Sequence, residues 1–168
     1  MTNKETVFSK DTQNKKLTVI RAFDAPLGLV WQAWTDSTIL DQWWAPKPYR
    51  AETKTMNFRE EGSWLYCMVG PKGDRTWCRD DYRAIQPQKS IISTAIFCDE
   101  KGTKTPDTPN MHWQKEFSPT DDGTTVRIEL SFDKEADLEM LLKMGFREGF
   151  TAGLNNLDEY LLVNVPVH

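Results

Sequence analysis

Lys115 is the residue of this sequence whose position most favours chemistry. It lies between Trp113 and Phe117 in a strand-like run, at the spacing that puts all three side chains on one face. An ammonium group on an apolar face must reach solvent, pair with an acid or lose its charge. One interpretation places Lys115 inside the protein, facing an anionic ligand group or a buried acid, with Arg79 and Asp81 as its neighbours. The alternative is a shifted register that leaves Lys115 near a sheet edge.

Tyr66 is the second polar group in an apolar setting. Trp64, Tyr66 and Met68 share one face of the strand predicted for Ser63–Val69, and we expect this face to contact the helical core. Tyr66 would then bring a hydroxyl into an apolar enclosure. The residues between these three are apolar as well, so a second subunit covering the other face stays an alternative, and with it a homodimer.

Gly145, Gly149 and Gly153 recur every four residues within a predicted C-terminal helix. Each glycine costs a helix about 1 kcal/mol relative to alanine. The spacing puts all three on one helix face. Two interpretations stay open: close packing of the helix backbone on the sheet, or the floor of a cavity.

Tryptophan is frequent, with seven in 168 residues, and five are predicted to flank or line core strands: Trp43, Trp44, Trp64, Trp77 and Trp113. Large aromatic surfaces with an indole donor suit flat, partly polar organic ligands. The alternative is that they fill a large core. If they line a ligand site, we expect a cavity above about 300 Å³, the lower bound of ordinary pockets. The residues predicted to line this site are Trp43, Trp64, Tyr66, Met68, Trp77, Arg79, Trp113, Lys115, Phe146, Gly149, Phe150 and Gly153.

Arrangements typical of catalysis or of metal binding are not evident, and we predict no catalytic residue, no metal and no cofactor. His112 has no recognisable nucleophile partner in the sequence. The acidic pair Asp80-Asp81 is interpreted as a solvated strand edge. Three cysteines, all widely spaced, and two histidines make a zinc site improbable, and the thiols are expected to be reduced and to lie in strands.

The order of elements indicates an α+β protein with an antiparallel sheet. Residues 17–23 alternate as a strand, and Asp24 and Pro26 then favour the start of a helix, with a second short helix after Asp36. Strands are predicted at residues 50–58, 63–69, 76–85, 90–98, 111–118 and 124–132, with a polar loop at 99–109. Apolar residues at spacings of three and four after Asp133 predict one helix of nearly thirty residues, capped by that acid.

Several of these segments resemble the START-like (SRPBCC) superfamily, and within it the branch named for an activator of the heat-shock-protein-90 ATPase. The matching segments are Phe23–Pro26, Val30-Trp31, Ala33–Thr35, Gln42–Pro46, Glu61–Trp64, Met68, Gly70-Pro71, Gly73, Glu148–Phe150, Leu154 and Leu157. The resemblance implies a helix-grip fold, in which a curved antiparallel sheet wraps around a long C-terminal helix and two short helices follow the first strand.

This resemblance leaves three functions open, since one fold hosts many activities. The first is the binding of a small hydrophobic or aromatic ligand between helix and sheet. The second is a chaperone-activating interaction. The third is an enzyme of the cyclase or hydrolase type acting on polyketide-like substrates, for which Tyr66, Lys115 and Arg79 are the polar candidates.

The composition of the chain argues against some classes of partner and some locations. A net charge of −4 argues against nucleic acid and anionic membrane surfaces as partners, because both favour a basic patch. No run approaches the roughly 18 apolar residues of a membrane span. The N-terminus lacks the apolar core of a signal peptide, so a cytoplasmic location is expected. We expect residues 1–14 to be disordered and residues 15–168 to form a single START-like domain.

Overall fold

Alternating apolar residues build a sheet of eight antiparallel strands in this protein, whose computed structural model describes residues 5–164. The strands are β1 (Val7–Asp11), β2 (Lys16–Phe23), β3 (Arg50–Met56), β4 (Ser63–Val69), β5 (Arg75–Gln86), β6 (Ser90–Cys98), β7 (Asn110–Thr120) and β8 (Gly123–Phe132). The helices are α1 (Leu27–Thr35), α2 (Ser37–Trp43), α3 (Glu135–Lys143) and α4 (Phe146–Asn164).

The strand order in the sheet is β1-β2-β8-β7-β6-β5-β4-β3. Helices α1 and α2 carry the chain from β2 to the opposite edge, and a meander from β3 to β8 brings it back beside β2. Helices α3 and α4 then return across the concave face of the curved sheet. This confirms the predicted α+β, helix-grip fold.

The N-terminal segment differs from the prediction. Residues 1–14 are predicted to be disordered, but β1 pairs antiparallel with β2, from Val7 opposite Ile20 to Asp11 opposite Lys16. The segment is short, polar and at the sheet edge, so it shows little hydrophobic alternation, and main-chain hydrogen bonds hold it. The two short helices therefore follow the second strand, not the first. Residues 1–4 lie outside the described part of the chain.

Fully buried residues of β2, β8 and the C-terminal helices form the centre of the core. Leu17 and Val19 of β2 and Ile128 of β8 contribute to the inner face, and Leu154 and Leu157 of α4 belong to the same cluster. Complete burial of each such side chain contributes about 1.5–3 kcal/mol. The predicted helical period of the C-terminal segment is thus confirmed for the residues that contact the core.

The single long helix predicted after Asp133 is wrong in one respect, because two helices replace it. Gly145 has φ +88° and directly follows Met144, the C-cap of α3. A glycine in this left-handed conformation is a common helix terminus. Asp133 does not cap α3; it accepts hydrogen bonds from His112 and Asn110 instead.

The first two helices start differently from each other. Pro26 occupies the N-cap of α1, one position before the predicted first turn, and no side chain caps that helix. Asp36 caps α2 by accepting a hydrogen bond from the main-chain N–H of Thr38 at 2.8 Å. The helix restart predicted at Asp36 is therefore confirmed.

The C-terminal end of α2 packs against the middle of α4. A Cβ atom at Gly153 would lie 3.1 Å from the carbonyl oxygen of Trp44, so only glycine allows this approach without displacement. Asn156, three residues later, donates a hydrogen bond to the carbonyl of Ala45 at 3.0 Å. Farther along α4, the buried Arg21 of β2 bonds Asp158. These contacts fix α4 relative to α2 and the sheet.

We predict opposite effects for alanine at two glycines of α4. Gly153→Ala should lose about 1 kcal/mol of stability, because overpacking costs about 1–3 kcal/mol and exceeds the gain in helix propensity. Gly149→Ala should gain up to about 1 kcal/mol, because its Cβ would meet Pro46 at an ordinary 3.7 Å. Urea unfolding of both variants measures the difference. Equal effects in the two variants would show that the contact with α2 is not tight.

Candidate functional site

A cavity of about 180 Å³ lies between the inner face of the sheet and the helices. Its floor comes from strands β4 to β7, and its roof comes from α3, α4 and the segment after α2. The lining residues are Trp44, Pro46, Tyr66, Met68, Cys78, Asp80, Ala95, Phe97, Met111, Trp113, Lys115, Leu141, Phe146, Gly149 and Phe150.

The cavity has an apolar outer part and a polar inner end. Met68, Phe97, Pro46 and Phe146, all half-buried, mark the outer part. The buried polar groups come from β4, β5 and β7. A ligand would therefore place its apolar body among the outer residues and a polar group at the inner end.

Lys115 is at the inner end, with only 4% of its surface exposed. Its Nζ lies 5.1 Å from the ring centroid of Trp113, 5.4 Å from that of Trp44 and 5.5 Å from that of Trp34. Cation–π contacts of this length are attractive. Within residues 5–164, the ammonium group makes neither a hydrogen bond nor an ion pair. Three indole rings therefore surround a charge whose hydrogen-bonding capacity is unused.

Asp80 is the acid that accompanies Lys115. It is 6% exposed, and among the described residues its Oδ1 atom has no hydrogen-bond partner. Burial raises the pKa of Asp80, against the opposing effect of the Lys115 charge. Burial likewise lowers the pKa of Lys115, against the opposing effect of Asp80. Each group thus stabilises the charged form of the other, whereas burial destabilises both charged forms.

Tyr66 adds a hydroxyl to the same enclosure. Its oxygen accepts a hydrogen bond from the indole N–H of Trp44 at 2.9 Å, which ties the roof to the floor. Burial raises the pKa of Tyr66 well above its usual value and raises the pKa of Cys78 to about 12. Both groups are therefore neutral at physiological pH, and the ionisable pair at this end is Lys115 and Asp80.

The structure brings seven of the twelve predicted site residues to the cavity. They are Tyr66, Met68, Trp113, Lys115, Phe146, Gly149 and Phe150. The expectation that the Trp64 face of β4 contacts the helical core is confirmed. Of the two interpretations left open for Lys115, the structure supports the inward one, because Lys115 is buried and its strand is paired on both sides. The expected volume above about 300 Å³ is wrong, because aromatic side chains fill much of the space beneath the helices.

Three further predicted residues support the cavity without lining it. Trp43 is buried behind the roof, and its indole N–H donates to the carbonyl of Ala33 at 2.9 Å. Trp64 stacks on Tyr66 with ring centroids 4.0 Å apart. Gly153 allows the close approach of α4 to Trp44. For the glycines, both interpretations therefore apply: close packing at Gly153 and cavity wall at Gly149.

Trp77 and Arg79 are the two clear corrections, because both lie on the opposite, convex face of the sheet. Trp77 packs against a second small buried cluster that contains Leu65 and Ile96. Arg79 pairs with Asp81 at 2.9 Å and also donates to the carbonyl of Gly102. The predicted neighbours of Lys115 were therefore one residue out of phase: the acid facing it is Asp80, not Asp81.

The predicted site set lacked Asp80 and the three roof residues Trp44, Pro46 and Leu141. Asp80 is interpreted as part of a solvated edge, but it lies on the same face of β5 as Cys78, which is opposite Tyr66 in the register. Trp44, Pro46 and Leu141 come from helix ends and a loop. Only the register could have identified Asp80, since a shift of one residue exchanges the two faces of a strand.

Other chemistry-bearing groups lie outside the cavity or are buried in strands. His112 contacts Asp133 at 3.0 Å and Thr94 at 3.3 Å on the convex face. Cys67, Cys78 and Cys98 are buried in strands and free, as predicted. Across residues 5–164, no group of three or more potential metal ligands comes together. The same described residues contain no helix long and apolar enough to cross a membrane.

The family model described as Activator of Hsp90 ATPase homolog 1-like protein matches residues 24–162, which cover most of the described fold and every residue that lines the cavity. The chain belongs to this family. The match confirms the resemblance drawn from the segments between Phe23 and Leu157. No curated protein matches the chain significantly in sequence.

Solved structures similar to this family member share its fold along most of the chain. Protein Ms6760 from Mycobacterium smegmatis is 25% identical with a TM-score of 0.87, and the match covers 98% of this chain and 100% of that one. A protein from Arthrobacter aurescens is 25% identical with a TM-score of 0.85, covering 90% and 88%. The AHSA1 protein from Silicibacter pomeroyi is 21% identical with a TM-score of 0.71, covering 88% and 98%.

We predict that Lys115→Met makes stability more sensitive to pH. Without the neighbouring positive charge, the pKa of Asp80 rises further. A carboxyl whose pKa is higher in the folded than in the unfolded state stabilises the fold below the unfolded value. It loses that contribution as pH rises through the folded value. Relative to the parent protein, the variant should therefore lose stability as pH rises above about 4, the ordinary pKa of an aspartate, by about 1.4 kcal/mol for each tenfold decrease in the acidity of Asp80.

Urea unfolding at several pH values measures this difference, with Lys115→Met/Asp80→Asn as the control. The double variant should show a stability difference from the parent that depends much less on pH, because no carboxyl is left at this site to titrate. If the single variant differed from the parent by the same amount at every pH, Asp80 would not be coupled to Lys115.

Proposed function

We propose that this protein binds a small, single-ring aromatic or apolar molecule in the cavity between α4 and the sheet. The observation that carries the proposal is the cavity itself, which is apolar at its outer part and ends at two buried, ionisable groups. An apolar cavity of about 150 Å³ is known to accept benzene, so about 180 Å³ suffices for one substituted ring. A polyketide-like substrate with several rings exceeds this volume.

The walls support binding of a flat ring. Phe146 and Phe150 of α4 stack with ring centroids 5.2 Å apart, and Trp113 contacts Phe150 edge to face at 5.7 Å. A ring between these side chains and Met68 would bury apolar surface without unpairing a hydrogen bond of the main chain. Burial of that surface is the driving force for binding.

The expected affinity is modest, because the ligand is small. A molecule of seven or eight non-hydrogen atoms should bind with a Kd on the order of 0.1 mM. At about ten times that concentration, the folded state gains about 1.4 kcal/mol, which raises the Tm by about 4 °C. Binding of this strength is measurable by calorimetry and by thermal unfolding.

We predict that toluene binds to the parent protein and not to Gly149→Leu. Gly149 lines the cavity, so a leucine side chain at this position occupies the space that the ring needs. Titration calorimetry should show heat for the parent, and thermal unfolding should show a higher Tm with toluene. The Gly149→Ala variant, whose added methyl group makes only an ordinary contact with Pro46, is the matched control and should still bind.

Two outcomes would contradict this function. Equal toluene binding by the parent and by a folded Gly149→Leu variant would place the ligand elsewhere. No binding by the parent protein at about 1 mM toluene, about ten times the expected Kd, would exclude the cavity as a site for single-ring ligands.

A further inference from the structure

The inner end of the cavity contains a primary amine, Lys115, to which none of the described residues offers a hydrogen-bond acceptor. Lys115 is 4% exposed, lines the cavity and, within residues 5–164, makes no hydrogen bond or ion pair. The indole rings of Trp34, Trp44 and Trp113 surround its Nζ at 5.1–5.5 Å and supply no hydrogen-bond acceptor. A buried amine without an acceptor is costly unless a ligand supplies one.

Asp80 determines which ligand class fits this amine. Lys115 and Asp80 are together neutral, whether both are charged or both are uncharged. A carboxylate ligand would add a net negative charge to a buried site that already contains an acid, which is unfavourable. A carbonyl group offers an acceptor to Lys115 and adds no charge. The cavity therefore favours a neutral carbonyl compound over an organic anion.

We propose that Lys115 is a nucleophile that forms an imine with a small aromatic aldehyde or ketone bound in the cavity. This inference rests on the proposed binding of a single-ring ligand. The aromatic ring occupies the outer part of the cavity, between Met68 and Phe146, and the carbonyl carbon faces Lys115. Lysine side chains in apolar pockets serve as such nucleophiles, since burial favours the neutral amine.

The reaction balances with the two buried groups, the ligand and one relaying water molecule. Because Lys115 and Asp80 are not in direct contact, a water molecule that enters with the ligand carries a proton from the Lys115 ammonium to the Asp80 carboxylate, which leaves a neutral amine. The lone pair of Nζ attacks the carbonyl carbon, and the C=O π electrons move to oxygen. Nitrogen loses one proton and oxygen gains one, which gives a carbinolamine. Asp80 then protonates the hydroxyl, the C–O bond breaks, and water leaves.

The product is a protonated imine that carries the same single positive charge as the original ammonium. Asp80 is again a carboxylate and serves as its counter-ion, and its free Oδ1 atom is available for the proton transfers. The three indole rings stabilise this cation as they stabilise the ammonium. The lowered pKa of Lys115 and the raised pKa of Asp80 both favour the uncharged pair that the first step requires.

Reductive trapping with benzaldehyde tests the proposal on the full-length protein. Sodium cyanoborohydride at pH 7 converts an imine into a stable benzyl amine, and peptide mass spectrometry locates it. Lys115 should be labelled at least about ten times faster than the exposed Lys47 and Lys54, which serve as controls within the same chain. Labelling of Lys115 at or below the rate of the surface lysines would overturn the proposal.

Variants and a second ligand separate this proposal from the proposed function. Asp80→Asn should slow the labelling of Lys115, because the amide cannot transfer the protons. Toluene binding by the parent without labelling of Lys115 overturns the imine and leaves the binding function intact. The absence of both toluene binding and Lys115 labelling would overturn the imine and the binding function together.

A second test compares two ligands by calorimetry. Tighter binding of benzoate than of benzyl alcohol would identify Lys115 as an anion site and would also overturn the imine.

Discussion

The contact between α4 and the C-terminal turn of α2 is the constraint on which the site depends. Gly153 brings the helix backbone close to the carbonyl oxygen of Trp44, and Asn156 bonds the carbonyl of Ala45. The indole of Trp44 then reaches down to the hydroxyl of Tyr66 on the sheet. A bulkier residue at position 153 would lift α4, and with it the roof over the cavity. The cavity is therefore a consequence of helix–helix packing at one turn.

This packing also explains how a lysine is tolerated inside the protein. Burial of an isolated ammonium group costs several kcal/mol, which is a large fraction of the stability of a typical domain. Three indole rings held around Nζ by the same helices, together with Asp80 on β5, offset part of that cost. Replacement of buried charged groups by apolar residues is often neutral or stabilising, so Lys115 and Asp80 are not needed for the fold. Its presence in a cavity is better explained by chemistry than by stability.

Much of the fold could be predicted from the sequence, because its strands and helices have clear periods. The bounds of β4 and β6 agree to the residue, and the Trp64 face of β4 was correctly expected to face inward. For Lys115, the sequence left both an inward position and a sheet edge open. The break at Gly145 was not predicted, since glycines four residues apart fit a continuous helix equally well. Lys143 in the last turn, followed by glycine, was the available signal for a helix end.

Strand β5 shows most clearly that the alternation of residues cannot identify the inward face of a strand without the register of the sheet. Trp77, Arg79 and Asp81 alternate with Cys78, Asp80 and Tyr82, and each set contains an aromatic residue and an acid. Both faces of this strand are partly buried, because a small cluster around Leu65 covers the convex side and the main core covers the other. The hydrophobicity of the residues therefore could not show which of the two sets faces the core.

The pairing of Tyr66 with Cys78 determines which set faces the core, and that pairing depends on the turn between β4 and β5 and on the whole sheet. The identity of the acid beside Lys115, and with it the chemistry of the cavity, is thus a property of the assembled sheet and not of any single segment.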